Sequence, residues 1–168
     1  MPSAGHQLSV VLVHPEMPQN TGNIIRLCAA AGASLHLIRP LGFIWNEKKM
    51  QRSAMDYVQH TSIELHADID TYQRTTAARH WLLTAKADVN LYDAVFAPQD
   101  RLVFGSESAG LPDAFKALYP SSHIRIPMMS GRRCLNLSSA VAITLYEAIR
   151  QLVFHSGATH HGSPIIDH

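Results

Sequence analysis

The chain has 168 residues, 46% hydrophobic and only 16% charged, a balance that excludes intrinsic disorder and suits one well-filled domain. Its formal net charge of +1 hides a division, since residues 1–55 carry +3, residues 56–113 carry −5 and residues 114–168 carry +3. The two cysteines, Cys28 and Cys134, lie far apart with no C-x-x-C pair, which excludes a disulfide framework and a cysteine-rich zinc site.

Taken in chain order, short apolar runs alternate with helical stretches. Residues 8–13 read as a buried strand, and 20–31 as a helix capped by Asn20 and stopped by Gly32. Residues 34–38 form a second strand, and Asn46 caps a helix over 46–55. A third strand over 62–66, a helix over 68–78 and a fourth strand over 81–84 follow. A fifth strand spans 101–105, Pro112 opens a helix to residue 118, and the last strand covers 123–126. Residues 136–154 make the longest helix, with Val141, Leu145, Ala148, Ile149 and Leu152 spaced to meet another helix. Near-continuous apolar strands alternating with helices predict an α/β fold whose mostly parallel sheet is flanked by helices. One domain over residues 1–154 and a tail over 155–168 are expected. No uninterrupted run approaches 18 apolar residues and the N-terminus has no basic leader. Neither a membrane span nor a signal peptide is expected, and the cytoplasm is the default.

The glycines exclude several chemistries. No two lie two apart, so the G-x-G-x-x-G dinucleotide fingerprint is absent. Gly105 and Gly110 have phosphate-loop spacing but are followed by Leu111-Pro112 where a Lys-Ser/Thr pair is needed. Neither H-E-x-x-H nor G-x-S-x-G occurs. The 11 histidines are dispersed, with His160-His161 near the end, so no metal site is expected.

Ligands of open parallel sheets sit beyond the carboxyl ends of strands, and three segments there carry chemistry. In PEMPQNTGNIIRLCA (15–29), Arg26 is the sole charge between Glu16 and Arg39, on a helix face with Asn23 and Ala30. It either emerges into a cleft or snorkels from a mostly buried helix. The start of that helix is a natural place for an anion. In FGSESAGLP (104–112), small residues let a ligand approach the backbone, and Glu107 either caps local amides or binds a polar ligand. The third segment joins RIPM (125–128) to RRCLNLSSAVAI (132–143). No acidic residue lies between Asp113 and Glu147, while Lys116, Arg125, Arg132 and Arg133 do, so a phosphate-bearing partner is favoured there. Asn136, Ser138 and Ser139 crowd a helix start where one cap suffices.

In this order and spacing, the three segments resemble the motifs of the SPOUT (α/β-knot) RNA methyltransferases. Within that family they are most like the SpoU-type ribose 2′-O-methyltransferases and their small tRNA (cytidine/uridine-34) group. The resemblance covers about residues 8–154. It implies a deep trefoil knot near the C-terminus, an exception to the usual absence of threading. It also implies a homodimer that joins first-motif and last helices and draws catalytic groups from both subunits. S-adenosylmethionine would lie among Leu83, Gly105, Ile126, Met128, Cys134 and Leu135, and no metal is implied. Arg26 and Asn136 would act on the ribose, with Glu107 and Ser138 supporting them, while Asn20, Asn23, Arg132 and Arg133 would contact RNA. Many relatives carry Ser where this chain has Cys134. The expected activity is methyl transfer to the ribose 2′-hydroxyl of the wobble nucleotide, position 34, of tRNA. The alternatives are ribosomal RNA 2′-O-methylation and a non-catalytic RNA-binding module.

Overall fold

The computed structural model describes residues 5–46, 61–132 and 134–154. The expected helix over 46–55, Arg133 and the tail over 155–168 therefore lie outside the described residues, except for Asn46 itself. Seven strands are present: β1 (Ser9–Val13), β2 (Ser34–Ile38), β3 (Ile63–His66), β4 (His80–Leu83), β5 (Val89–Asn90), β6 (Arg101–Phe104) and β7 (His123–Arg125). They form one sheet in the order β3-β2-β1-β6-β4-β7-β5, and every pairing is parallel. The helices are α1 (Pro18–Ala31), α2 (Ile69–Arg74), α3 (Asp113–Leu118) and α4 (Leu137–Ile149), the last continued by a wider turn over Arg150–Phe154.

Successive side chains of a strand point to opposite faces, and β1 shows why both faces are covered. Val10 and Leu12 enter a core with Ile24, Ile25 and Cys28 of α1 and Val141 and Leu145 of α4. Val11 and Val13 enter a second core with Tyr72 of α2 and Phe115 of α3. Burial inside the first core pushes the Cys28 thiol up to about 12 and leaves it inert.

Three local readings are corrected. Helix α1 starts at Pro18, so Asn20 is not its cap; Met17 stands at that position and its side chain makes no capping hydrogen bond. Proline suits the first turn because its missing N–H has no helical partner there. Helix α2 is capped by Asp68 but ends at Arg74, where the Thr75 hydroxyl donates to the Tyr72 carbonyl at 2.6 Å and competes with the helix. Strand β5 is not visible in the sequence pattern, since it has two residues and exists through pairing of Val89 with Ile124 and Asn90 with Arg125.

Residues Leu137–Phe154 also run 18 residues at mean hydropathy 1.2, long and apolar enough to cross a membrane by length and composition. A search for uninterrupted apolar runs overlooks this helix because Glu147 and Arg150 interrupt it. Its Val141, Leu145 and Ala148 are wholly buried in the core, and Arg150 pairs with Glu147 at 2.8 Å. It is a core helix of the α/β layers.

The second face carries a polar layer. His36, His66, Tyr72 and His80 are buried together, with the Tyr72 hydroxyl 2.8 Å from His80 Nε2. Burial lowers the His80 imidazole to about 4 and, with Arg101 alongside, the His36 imidazole to about 3. Burial also lowers His66, against the pull of Glu64.

An unfolded histidine titrates near 6.5, so in acid the unfolded chain takes up protons that the folded chain refuses. Stability should be full above about pH 6.5 and fall progressively toward pH 4. Urea melts across this range should show His80→Gln with a slope shallower by roughly 1.4 kcal/mol per pH unit between its folded and unfolded titrations. Equal slopes for both proteins would show that His80 does not contribute.

Candidate functional site

The loops after β1, β6, β4 and β7 leave the same edge of the sheet because all the strands are parallel and adjacent. They bring the three sequence segments together. At their centre is Glu107, in the loop after β6. Its carboxylate accepts the backbone N–H of Glu16 at 2.7 Å, the N–H of Met17 at 3.2 Å and the Asn20 amide at 3.0 Å. Burial alone would raise this carboxyl, but the hydrogen bonds from Asn20, Glu16 and Met17 outweigh it and hold Glu107 below the ordinary glutamate range. The anion foreseen at the start of α1 is thus a carboxylate of the chain itself. Of the two readings open for Glu107, the geometry is that of a cap, delivered from a different loop.

Asn20 passes the connection on. Its side-chain oxygen accepts the Asn136 amide at 3.0 Å, and Asn136 in turn accepts the Ser138 N–H at 2.9 Å and the Ser138 hydroxyl at 2.7 Å. Asn136 is the cap of α4. Asn20 is only 4% exposed, so it sits inside this network and not on the RNA-facing surface expected of it. Glu16 adds a second tie, accepting the Ser108 N–H at 3.2 Å and hydroxyl at 2.6 Å. Sequence reasoning missed Glu16 and Ser108, because no spacing rule links residues 92 positions apart.

Two glycines make the approach possible. A Cβ on Gly105 would overlap the Gly110 carbonyl carbon and the Leu111 nitrogen. The loop closes there by paired bonds between Ser106 and Gly110, the latter at φ 69°. A Cβ on Gly42 would meet the Glu16 Cα at 2.7 Å, where Gly42 N–H donates to the Pro15 carbonyl.

Arg26 is exposed on the outer face of α1 with Asn23 and Ala30, while Ile24, Ile25 and Cys28 point inward. Arg132 is exposed in the loop after β7. The residues expected to hold a cofactor follow three neighbouring strands: Leu83 ends β4, Gly105 follows β6, and Ile126 and Met128 follow β7. Leu83 and Ile126 are half-buried, Gly105 is buried, and Met128, Cys134 and Leu135 are exposed. Apolar side chains at the ends of adjacent parallel strands, three of them exposed, suit a flat adenosyl group, which needs apolar walls and backbone hydrogen bonds at its polar edge. The chain's own residues therefore fit S-adenosylmethionine.

Glu107→Gln should destabilise the fold by roughly 1–3 kcal/mol, since an amide would set N–H against N–H at the start of α1. A denaturation midpoint unchanged from the parent would remove Glu107 from its place at the centre of the network.

Comparison with known proteins gives the family. Residues 7–146 match the model of the SpoU rRNA methylase family. The chain is 44% identical over 154 residues to a tRNA (cytidine(34)-2′-O)-methyltransferase of Burkholderia ambifaria, covering 89% of this chain and 99% of that protein. A solved structure described as giving insight into 2′-hydroxyl methylation of C/U34 on tRNA superposes with TM-score 0.82 at 42% identity, covering 88% of this chain and 97% of that one. An AdoMet-bound rRNA methyltransferase from Sinorhizobium meliloti superposes with TM-score 0.78 at 26% identity, covering 88% of this chain and 57% of that one. The chain is a member of the SpoU methylase family.

Proposed function

We propose that this chain is a tRNA (cytidine/uridine-34)-2′-O-methyltransferase, transferring a methyl group from S-adenosylmethionine to the ribose of the wobble nucleotide. The observation that carries this reading is the junction of the three loops through Glu107, Asn20 and Asn136 at the start of the helix on which Arg26 is exposed. Ribosomal RNA is the second reading, favoured by the likeness to the Sinorhizobium meliloti enzyme. That likeness spans 57% of the larger chain, against 99% of the Burkholderia protein, which supports tRNA.

Bound among Leu83, Gly105, Ile126, Met128, Cys134 and Leu135, S-adenosylmethionine supplies a methyl group already activated by its sulfonium. The protein must then position the ribose and manage one proton. Arginine stays protonated, so Arg26 is a poor base. It instead grips the phosphate next to the target ribose and steadies the alkoxide as it forms. The proton passes to a phosphate oxygen or to water. Asn136, its amide direction set by Asn20 and Ser138, orients the ribose. Ser138 and Glu107 act as positioning residues, and Asn23, Arg132 and Arg133 face the RNA. The methyl donor needs no Lewis acid, so transfer proceeds without a metal.

The same reading includes a deep trefoil knot at the C-terminal end. It is supported by β7, the last strand in sequence, lying between the earlier strands β4 and β5. It also includes a cytoplasmic homodimer joined through α1 and α4, supported by the exposed Ile143 and Tyr146 on α4.

Arg26→Ala should reduce single-turnover methylation by ~10²–10³ while leaving cofactor affinity near that of the parent. Arg26→Lys should rescue poorly, because a point charge cannot replace a planar fork on phosphate. A fully active lysine variant, or an equal loss in cofactor binding, would overturn the role given to Arg26. Mass spectrometry of tRNA and rRNA nucleosides from a deletion strain separates the two substrates: loss of 2′-O-methylation confined to rRNA would exclude tRNA. Cys134→Ser should change the rate less than about tenfold, under ~1.4 kcal/mol of barrier, if the backbone is what position 134 contributes.

A further inference from the structure

Away from the methyl-transfer loops, the sheet gathers three metal-ligating groups that are scattered in sequence. Strands β2 and β3 pair in register, His36 opposite Glu64 and Ile38 opposite His66. Residues two apart on a strand share a face, so His36, Glu64 and His66 project from the same side. His36 Nδ1 lies 3.0 Å from His66 Nε2 and 3.5 Å from the Glu64 carboxylate, which is 3.9 Å from His66 Nε2. One ion can sit about 2.1 Å from all three corners of a triangle with these sides, the usual zinc distance to imidazole nitrogen and carboxylate oxygen.

The surroundings suit a cation that keeps one open position. The two histidine side chains are 4% and 5% exposed and held by the sheet, while that of Glu64 is 54% exposed. A fourth ligand can therefore come from water on the Glu64 side. The donor set, two nitrogens and one oxygen, suits zinc and its borderline neighbours and is a poor cage for magnesium or calcium, which need more oxygens. One charge works against it. Arg101 donates to His36 Nε2 at 2.6 Å, so in this structure the His36 proton is on Nδ1. Binding requires that proton to move to Nε2 and Arg101 to release the ring. Arg101 borders an open cleft of about 540 Å³ with Gln7, Ser9 and Gln99.

We propose that His36, Glu64 and His66 form a zinc-class site that pins β3 to β2. The site lies on the sheet face that packs against Tyr72 and Phe115, opposite the face covered by α1, which carries Arg26, and by α4, which Asn136 caps, so its role is independent of methyl transfer. An ion that binds the folded chain and not the unfolded one adds its binding free energy to the stability of this strand pair.

Zinc chloride titrated calorimetrically into the metal-stripped full chain tests this. One ion per chain should bind with micromolar or tighter affinity, and the melting temperature should rise with zinc concentration. Glu64→Gln, at an exposed position that leaves the fold intact, and His66→Gln should each weaken binding at least tenfold. A chain with both His160→Ala and His161→Ala should bind as the parent does. The proposal fails if no zinc binds at about 100 µM, if Glu64→Gln and His66→Gln bind like the parent, or if the His160/His161 variant alone loses the ion.

Discussion

The carboxylate of Glu107 at the start of α1 is the contact on which the geometry of the site depends. A helix begins with N–H groups that have no partner within it, and α1 has no capping side chain of its own. The loop after β6 supplies one instead, and the same carboxylate takes the Asn20 amide. This sets the start of α1 against the edge of the sheet rather than leaving it to the chain before it. Arg26 stands eight residues beyond Pro18, roughly 12 Å along the helix axis, so its place relative to the other loops follows from how that start is held.

The same logic changes the meaning of the charge pattern. The middle third of the sequence carries an excess of −5, which on its own would repel a polyanion. Part of that charge is used internally. Glu107 lies among backbone amides, and Asp100, 3% exposed, accepts from Arg79, Trp81 and the Ala97 N–H. Arg79 meets Asp100 at 2.6 Å and stacks over Trp81, a pairing that ties β4 to the turn preceding β6. Arg26 on α1 and Arg132 in the loop after β7 are exposed.

Much of this architecture was legible before any coordinates. The apolar runs in residues 9–13 and 34–38, the glycine stop at Gly32 and the helix that begins after Asp68 are local features, and local features are written in neighbouring residues. That Arg26, Asn23 and Ala30 share one face followed from helical spacing, while the exposure of that face came from the fold. Asn20 was misread for a related reason: an Asn before an apolar periodic run is normally a cap. Pro18 takes the first helical position two residues earlier, and Asn20 is turned inward to Glu107 and Asn136, 87 and 116 positions away.

The sequence by itself determined the alternating strands and helices, the parallel sheet and the three segments that match the family. Those follow from periodicity, composition and spacing within a few turns of chain. Only the tertiary structure decided what the polar side chains do there. Whether Glu107 meets a ligand or a helix start depends on which loop lies opposite, and whether His36 and His66 are solitary or adjacent depends on strand register. Hydrogen bonds form over about 3 Å, whereas His36 and His66 are 30 positions apart and Asn20 and Asn136 are 116 apart. Only the folded path of the chain carries that information.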